Sequence, residues 1–303
     1  MPGARMHDDE FEIDADLVSG LLARQFPQWA DLPLKPVASA GTDNALFRLG
    51  DHMVVRLPRI QWAVEGIDME QEWLPRLAPF LPVAIPTPLG LGEPDEHYPW
   101  RWSVYEWLNG DNPVLNEIAD PITLAKDLAH FTKALRKIDA SGAPLSRRGV
   151  PLQERDSDTK AAIVALNGMI DSIAVGNAWE SALAVPIWSG PPVWIHGDIS
   201  PGNILLVDGR LNAVIDFGVM GIGDPACDLI VAWNLLSASA RDTFRSESQI
   251  DDSTWKRGRG WALSIALIQL PYYFQTNRSL AKNARHVINE VLSDTLYNEE
   301  LPL

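Results

Sequence analysis

Cysteine is almost absent from this 303-residue chain, which contains only Cys227. A single cysteine excludes an intramolecular disulfide and is typical of a reducing compartment. The first residues are acidic, whereas a secretory signal peptide begins with basic residues and an apolar run. The longest strongly apolar segment, 261–274, contains Gln269 and Pro271 and is shorter than the roughly 18 residues that indicate a membrane span. We therefore expect a cytoplasmic protein without a membrane partner, and we interpret 261–274 as a buried helix kinked at Pro271.

Positive charge is also scarce, because 25 Lys and Arg oppose 40 Asp and Glu, for a formal net charge of -15. Nucleic-acid binding needs a basic stripe, and the sequence shows none, so we expect no nucleic-acid partner. Acid is concentrated in residues 1–108, which contain 17 acidic and 8 basic residues, whereas 109–303 contain 23 and 17. A phosphate ligand would therefore need cations placed locally at its site.

The length and apolar content of the chain favour two lobes with a cleft between them. A chain of 303 residues with 46% hydrophobic residues is too long for one ordinary core and is apolar enough to bury two. Amphipathic spacing predicts helices at 10–29, 66–78, 120–141, 158–175, 229–238, 239–246, 253–275 and 279–297. Between two of these helices, 141–158 is a polar loop with proline and glycine that could border a substrate.

The most informative stretch begins at an apolar run that leads into His196-Gly197-Asp198. Asn203 lies five residues beyond Asp198, the same interval as in the catalytic loop H-R-D-x-x-x-x-N of a protein kinase. Two short apolar strands follow, joined by Asp208-Gly209, which is a typical two-residue hairpin turn. The second strand ends at Asp216, so the hairpin would bring Asp216 back beside Asn203.

This order of residues suits phosphoryl transfer. That chemistry needs a carboxylate that orients the attacking hydroxyl and accepts its proton, and metal ligands that neutralise the phosphate charge. We assign Asp198 as the catalytic carboxylate and Asn203 with Asp216 as ligands of Mg²⁺. The alternative is that these residues merely cap a turn and end a strand. The complete constellation favours the catalytic interpretation, because each residue also lies on the element that the mechanism requires.

The same residues resemble the aminoglycoside phosphotransferase (APH) family of small-molecule kinases. Its H-G-D-x-x-x-x-N motif is His196 to Asn203 here, and its I-D-F-G motif is Ile215 to Gly218. The resemblance covers nearly the whole chain. It implies an α+β, bilobal, protein-kinase-like fold, with a small antiparallel-sheet N-lobe and a larger, mainly helical C-lobe. It also implies ATP or GTP as phosphoryl donor with Mg²⁺, and a role for Asp228 in bracing the catalytic loop.

The first nucleotide contacts are expected in segment 37–49, where a kinase places a loop over the phosphates. On the resemblance, Ser39, Thr42 and Asn44 are candidate nucleotide-binding residues. A plain hairpin turn is the alternative, because one glycine is a weak phosphate-loop signal.

The next candidate is Arg56, which stands in a β-branched strand where most kinases place the phosphate-binding lysine. A guanidinium can hold a phosphate through two hydrogen bonds, so the role survives the substitution. In the alternative, Arg56 is a solvated strand residue and Arg59 or another cation binds the phosphates.

The predicted helix 66–78 supplies a partner for Arg56. Glu70 lies on the apolar stripe of this helix, whereas Glu72 lies on the other side and can pair with Arg76 four residues later. The stripe comprises Trp73, Leu74 and Leu77. A buried carboxylate without a partner would be costly, so we assign Glu70 as the residue that holds Arg56.

A Pro-rich connection, 82–92, precedes a strand over 100–108 and then Asn109-Gly110-Asp111. We interpret this step as the hinge between a nucleotide-binding N-lobe, 1–108, and a catalytic and substrate-binding C-lobe, 109–303. The backbone around Glu106 to Leu108 is the expected contact for a nucleotide base.

The acceptor is expected to be a small molecule, because only about six residues separate Gly218 from Asp224-Pro225. Protein kinases use a long activation segment here. The first hypothesis is thus an ATP- or GTP- and Mg²⁺-dependent O-phosphotransferase that acts on a hydroxyl of an antibiotic (an aminoglycoside or a macrolide) or a metabolite. The alternative is a kinase-like protein that binds a nucleotide or metabolite without turnover, and Arg56 in place of lysine is its support.

The charge of the C-lobe does not favour a polycationic acceptor. Residues 109–190 contain 10 acidic and 8 basic side chains, and 230–303 contain 8 of each, whereas a site for an aminoglycoside should be lined by carboxylates. These segments carry aromatic residues that could form core or line the cleft: Trp233, Trp255, Trp261, Tyr272 and Tyr273. We predict that common aminoglycosides are poor acceptors and that a less charged hydroxyl compound, such as a macrolide, is better.

Overall fold

The N-lobe is built on one antiparallel sheet. The computed structural model describes residues 10–37, 43–115 and 117–299, with side chains as far as Asp294. The lobe comprises α1 (Ala15–Gln25), β1 (Leu34–Pro36), β2 (Asn44–Leu49), β3 (Met53–Pro58), α2 (Val64–Leu77), β4 (Pro88–Gly92) and β5 (Trp102–Glu106). The strands lie in the order β1-β2-β3-β5-β4. Every neighbouring pair is antiparallel.

The core of this lobe lies between α1 and the sheet. Alternate residues of β2 are buried, as expected for a strand with one covered face. Helix α1 begins after Asp14, whose side chain accepts a hydrogen bond from the amide of Leu17 at 2.8 Å. The predicted helix 10–29 was too long, because α1 covers only 15–25 and a 3₁₀ turn begins at Pro27, which cannot donate a helical hydrogen bond.

The C-lobe is mainly helical, with two small two-stranded sheets. It comprises α3 (Pro121–Leu135), α4 (Asp156–Ala165), α5 (Ser172–Leu183), β6 (Val193–Ile195), β7 (Ile204–Val207), β8 (Arg210–Val214), β9 (Gly221–Gly223), α6 (Val231–Asn234), α7 (Ala238–Ser248), α8 (Asp252–Tyr273) and α9 (Arg278–Glu299). Strand β6 pairs with β9, and β7 pairs with β8. The expected kinase-like, bilobal α+β fold is confirmed.

Three predicted helices of the C-lobe differ from the structure. The predicted helix 158–175 is two helices, α4 and α5, because Gly168 adopts φ +80° and Asp171 starts a new helix by accepting from the amide of Ala174 at 3.0 Å. The predicted helix 229–238 is the four-residue α6, preceded by a 3₁₀ turn. The predicted helix 120–141 corresponds to α3, which ends six residues earlier, at Leu135.

Helix α8 continues through Pro271 to Tyr273. Within the described ranges, every helix is too short or too polar to cross a membrane.

The tryptophans of the C-lobe form core. Trp233, Trp255 and Trp261 are buried and pack in the main hydrophobic cluster, so they do not line a cleft. Tyr272 is half-exposed and contacts Tyr273 edge to face. The core alternative is therefore correct for the three tryptophans.

Candidate active site

The loop after β6 is braced by Asp228. This buried carboxylate accepts from the backbone amides of His196 at 2.9 Å and Gly197 at 2.7 Å. Burial raises the pKa of Asp228, against the opposing effects of His196 and of these two amide hydrogen bonds. The brace that the resemblance implied is thus present, and it fixes the residue immediately before Asp198.

Gly197 is required by the shape of this loop. Its φ of +84° lies in the left-handed region, where a side chain is disfavoured. A Cβ at this position would also lie 3.1 Å from the carbonyl oxygen of Val219 and 3.2 Å from Cβ of Arg148. The backbone beside Asp198 is therefore closely packed against two other segments of the C-lobe.

His196 has a structural position in the site. Its ring is buried, with Nε2 3.1 Å from the carbonyl oxygen of Ile215 and Nδ1 accepting from the amide of Asp198 at 3.1 Å. This pattern assigns the proton to Nε2. The ring also packs against Phe217 with a centroid distance of 4.5 Å. His196 thus ties the catalytic loop to the segment that carries Asp216.

Asp198 and Asn203 share one loop and face each other. Nδ2 of Asn203 donates to the backbone oxygen of Asp198 at 2.9 Å and to its Oδ2 at 3.1 Å. Because both acceptors lie on the Nδ2 side, Oδ1 of Asn203 remains available for a cation. Burial raises the pKa of Asp198, as does the charge of Asp216, while Arg148, His196 and Asn203 act in the opposite direction.

The hairpin of β7 and β8 brings Asp216 to Asn203, as predicted. Asp208 and Gly209 adopt φ of +50° and +76°, which is the pattern of the expected two-residue turn. At the open end, the amide of Ile215 donates to the carbonyl oxygen of Asn203 at 2.9 Å. Asp216 itself has φ +64° and a side chain that is 44% exposed.

Residues at the lobe boundary hold this hairpin in place. The amide of Asp111 and the carbonyl oxygen of Leu206 form a hydrogen bond at 3.0 Å, and the reverse pair is 2.9 Å. Nδ2 of Asn112 contacts the carbonyl oxygens of Pro201 and Gly202 and, at 2.9 Å, that of Ile204. Sequence reasoning missed Asn112, because its partners lie about 90 residues away and the local pattern is only that of a turn.

Arg56 and Glu70 form the predicted ion pair. Nη1 of Arg56 lies 2.6 Å and 2.7 Å from the two carboxylate oxygens of Glu70, which is fully buried. Burial alone would lower the pKa of Arg56, but the charges of Glu70 and Asp216 outweigh it and raise this pKa above its usual range. The expected pair of Glu72 and Arg76 is also present, on the exposed face of α2 at 3.3 Å.

Two further residues contact the pair of Arg56 and Glu70. The hydroxyl of Tyr105 donates to Oε2 of Glu70 at 2.5 Å, and burial followed by the charge of Glu70 keeps the pKa of Tyr105 well above its usual value. Nη2 of Arg56 donates to Oδ1 of Asp216 at 2.8 Å. The contact joins a strand of the N-lobe to the motif of the C-lobe. Sequence reasoning missed Tyr105, since one aromatic residue in an apolar strand gives no signal.

Helix α2 contacts the I-D-F-G motif directly through glycine. A Cβ on Gly66 would lie 2.9 Å from Cα of Gly218 and 3.0 Å from its carbonyl oxygen. Next to it, Glu65 forms an ion pair with Arg147 of the loop between α3 and α4. Gly66 is the first residue of the predicted helix 66–78, where a glycine gives little signal, so sequence reasoning missed this contact. The structure begins α2 at Val64, which places Gly66 inside the helix.

The other predicted nucleotide contacts have different outcomes. Ser39 and Thr42 lie outside the described residues. Asn44 begins β2, and in the amide orientation that suits the hydrogen bonding, its side-chain oxygen accepts from Nη2 of Arg56 at 3.1 Å. It therefore joins the cluster of Arg56, Glu70 and Asp216.

Glu106 and Leu108 lie at the end of β5. The amide of Glu106 donates to the carbonyl oxygen of Thr87, and that of Trp107 donates to the carbonyl oxygen of His52 at 2.7 Å. In the part of the chain that the structure describes, the amide of Leu108 has no backbone partner. Of the three amides from Glu106 to Leu108, that of Leu108 is thus the one without a backbone partner.

The donors expected for Mg²⁺ fit a hard cation. Asp216 uses Oδ1 for Arg56, so Oδ2 remains, and Asn203 presents Oδ1. Across 10–37, 43–115 and 117–299, no cluster of three or more His, Cys, Asp or Glu side chains suits a metal. One carboxylate and one amide oxygen agree with Mg²⁺ chemistry, because Mg²⁺ keeps several waters and takes phosphate oxygens as further ligands.

Comparison with known proteins identifies the family. The model of the phosphotransferase enzyme family matches residues 34–261. An aminoglycoside 3'-phosphotransferase of Escherichia coli is 30% identical over 128 residues, which are 41% of this chain and 47% of that protein. The chain therefore spans less than half the length of the curated relatives it matches.

Two solved structures have the same fold. The GDP and kanamycin complex of APH(2")-IIIa has a TM-score of 0.74 at 18% identity, covering 91% of this chain and 98% of that chain. The macrolide 2'-phosphotransferase MphH of Brachybacterium faecium has a TM-score of 0.61 at 22% identity, covering 91% and 98%. Because the family match includes more than half of the residues and both motifs, the chain belongs to the phosphotransferase enzyme family.

Proposed function

We propose that the protein is an O-phosphotransferase that moves the γ-phosphoryl group of ATP or GTP to a hydroxyl of a small molecule. The observation that carries this proposal is the pairing of Asn203 with Asp198. The pairing leaves Oδ1 of Asn203 available and keeps the carboxylate of Asp198 on the same loop, while the backbone hydrogen bond from Ile215 to Asn203 brings the residue before Asp216 to this loop. A base and two cation-binding oxygens are the parts that phosphoryl transfer requires.

In this proposal, Asp198 orients the acceptor hydroxyl and receives its proton. The new bond forms between the acceptor oxygen and the γ-phosphorus, while the bond from that phosphorus to the bridging oxygen of the nucleoside diphosphate breaks. Asn203 and Asp216 would hold Mg²⁺, which supplies positive charge to the phosphate oxygens. Asp228 and His196 act through the backbone by fixing the position of Asp198.

The nucleotide is proposed to lie between β2, β3 and the hinge. Arg56, oriented by Glu70 and Tyr105, faces the phosphates together with Asn44. The amide of Leu108 is the proposed donor to the base, because the amides of Glu106 and Trp107 already bind backbone oxygens. Structural neighbours are complexes with GDP and with ADP, so both ATP and GTP belong in the first assay.

For the acceptor, we propose a hydroxyl compound with little positive charge, in the size class of macrolides. The near neutrality of 109–190 and 230–303 supports this choice. Trp233, Trp255 and Trp261 are buried, so they do not offer an aromatic surface to the acceptor. Neighbours are named for aminoglycosides and for macrolides, which makes both classes the natural comparison.

The test is a coupled phosphotransfer assay of the purified protein with Mg²⁺ and either ATP or GTP. The panel contains aminoglycosides, macrolides, choline, homoserine and sugar alcohols, with Asp198→Asn as the matched control for every compound. We expect acceptor-dependent release of nucleoside diphosphate by the wild type and a rate at least about 10²-fold lower for the variant. Nucleotide binding without Mg²⁺-dependent turnover would contradict the proposal and favour a binding protein.

A further inference from the structure

The loop 144–149, here called the Arg148 loop, is attached to the segment that follows the I-D-F-G motif. The amide of Ser146 donates to the carbonyl oxygen of Ile222 at 3.1 Å, and the amide of Ile222 donates to that of Pro144 at 2.8 Å. The hydroxyl of Ser146 donates to the carbonyl oxygen of Val219 at 2.8 Å. The loop therefore packs against the short connection that follows the motif. A protein kinase has its long activation segment at this point of the chain.

This attachment places Arg148 beside the catalytic loop. Its Cβ lies 3.2 Å from the position that a Cβ on Gly197 would occupy, and Gly197 immediately precedes Asp198. The charge of Arg148 is felt at Asp198, whose pKa it lowers against the effect of burial. The guanidinium thus belongs to the surroundings of the proposed base.

The side chain of Arg148 is not satisfied by the chain. Its Nη1 is excluded from solvent and has no hydrogen-bond partner. The residue as a whole is half-buried, and among the described residues no carboxylate lies within ion-pair distance of it. Leaving a buried donor without an acceptor is destabilising, so an unpaired guanidinium at this position requires an explanation.

Two other cations near the site are already neutralised, and Arg155, whose charge repels that of Arg148, donates to the hydroxyl of Ser264 and stacks on Trp261. Arg56 contacts two carboxylates, Glu70 and Asp216, and Arg147 is paired with Glu65. Asp198 adds a further negative charge. A phosphoryl group in transfer would therefore meet mostly carboxylates unless another cation faces it, and an arginine is well suited to phosphate oxygens because its donors form a planar fork.

We propose that Arg148 binds the phosphoryl group as it passes from the nucleotide to the acceptor. This inference rests on the proposed function and adds one residue to it. In the transfer step, the γ-phosphorus exchanges its bond to the nucleoside diphosphate oxygen for a bond to the acceptor oxygen, and the acceptor proton goes to Asp198. Arg148 forms and breaks no covalent bond, and it donates hydrogen bonds to the phosphoryl oxygens.

The test compares Arg148→Met, which keeps much of the side-chain volume without charge, with Arg148→Lys, which keeps the charge. Arg285→Ala is the control, because Arg285 is an exposed arginine on α9 that stacks on Phe274. Two quantities are measured for each protein: Mg²⁺-dependent nucleotide hydrolysis without acceptor, and the affinity for nucleoside diphosphate with and without fluoroaluminate. Fluoroaluminate imitates the phosphoryl group in transfer, whereas nucleoside diphosphate alone does not.

We expect Arg148→Met to lower kcat at least about 10²-fold, which is modest beside the effect of known phosphoryl-binding arginines. The KM for nucleotide and the affinity for nucleoside diphosphate should change less than about threefold, and the gain in affinity from fluoroaluminate should be lost. Arg148→Lys should recover part of kcat and part of the gain in affinity from fluoroaluminate. Arg285→Ala should match the wild type in all of these quantities.

Two outcomes would overturn the inference while leaving the proposed function standing. One is an active wild type with unchanged kcat in Arg148→Met, and the other is a fluoroaluminate effect that survives in the variant. Equal losses of kcat in Arg148→Met and Arg148→Lys, together with a lowered Tm, would show that Arg148 has a structural role. That result would also overturn the inference. A wild-type protein without any Mg²⁺-dependent hydrolysis would instead overturn the proposed function, and this inference with it.

Discussion

Arg56 is a single residue whose ion pairs connect the two lobes. Its guanidinium contacts Glu70 of α2 and Asp216 of the motif, so one cation fixes a helix and a proposed metal ligand at once. The planar fork of arginine allows this, since two nitrogens can point to different carboxylates. A lysine would offer a single nitrogen, which makes the substitution of the usual kinase lysine a geometric change as well as a chemical one.

This geometry predicts the effect of replacing Arg56. Arg56→Ala should raise the nucleotide KM and lower kcat together, because both phosphate contact and the position of Asp216 are lost. Arg56→Lys should restore part of the KM effect and less of kcat, since one ammonium cannot hold both carboxylates. Steady-state kinetics with varied nucleotide measures both constants. An Arg56→Ala variant with wild-type constants would assign phosphate binding to another cation.

Asp216 is expected to control metal-dependent nucleotide binding. Asp216→Ala removes the exposed carboxylate oxygen that remains after the contact with Arg56, so the nucleotide phosphates lose a metal bridge in an acidic protein. We expect calorimetry to show loss of the Mg²⁺-dependent part of nucleotide affinity. Asn203→Ala should retain more of it, because the amide is the weaker ligand. An unchanged Mg²⁺ dependence in Asp216→Ala would remove the metal role.

At the level of elements, local patterns predicted some parts of the site and not others. The hairpin of β7 and β8 was predictable because Asp208-Gly209 specifies its own turn. The position of Glu70 followed from the helical stripe of α2. The break between α4 and α5 was not predictable from apolar spacing, which continues across Gly168. Tyr105, Asn112 and Arg148 were missed because their roles arise from contacts with residues distant in sequence.

The contact between α2 and the motif gives a prediction at this scale. Gly66→Ala should favour an isolated helix by about 1 kcal/mol, but its Cβ would lie 2.9 Å from Cα of Gly218, so α2 or the motif must shift. We expect a lower kcat/KM and no gain in Tm. Gly176→Ala on α5 is the control, because a Cβ there meets no atom within 4 Å. It should raise Tm slightly at full activity. Identical behaviour of the two variants would show that this contact does not matter.

For the whole molecule, the only cysteine offers a reporter of opening. Cys227 is fully buried beneath the catalytic loop, with Sγ 3.6 Å from the carbonyl oxygen of Gly197. Burial, followed by the charge of Asp228, raises the pKa of this thiol far above its usual value. The thiolate that reacts with alkylating reagents is therefore almost absent in the folded state near pH 8.

We expect the native protein to resist alkylation at pH 8 and to react once per chain in urea, as mass spectrometry would show. Saturating Mg²⁺ and nucleotide should slow the reaction further, because a ligand that binds only the folded state lowers the open population. Nucleotide without Mg²⁺ is the control and should protect less. Rapid labelling of the native protein, unaffected by ligand, would contradict the packing of the C-lobe around the catalytic loop.

The charge of the whole C-lobe leads to a prediction about the acceptor. Segments 109–190 and 230–303, which we propose to border the acceptor, are nearly neutral. Two acids close to the catalytic loop already have partners: Asp224 is bound by Arg257 at 2.6 Å, and Asp228 accepts from two backbone amides. Arg148 adds positive charge beside Asp198. Amines of a polycationic acceptor would therefore find few free carboxylates and one opposing cation.

We expect kanamycin-type aminoglycosides to be poor substrates and a macrolide-like hydroxyl compound to be better, as measured by kcat/KM in the coupled assay. If Arg148 repels the amines, Arg148→Met should narrow the ratio of the two kcat/KM values even as both fall, whereas Arg285→Ala should leave the ratio unchanged. A wild-type kcat/KM for kanamycin of about 10⁴ M⁻¹s⁻¹ or more, the ordinary enzymatic range, would contradict the preference. It would show that carboxylates other than Asp224 and Asp228 bind the amines despite the near-neutral charge of the C-lobe segments.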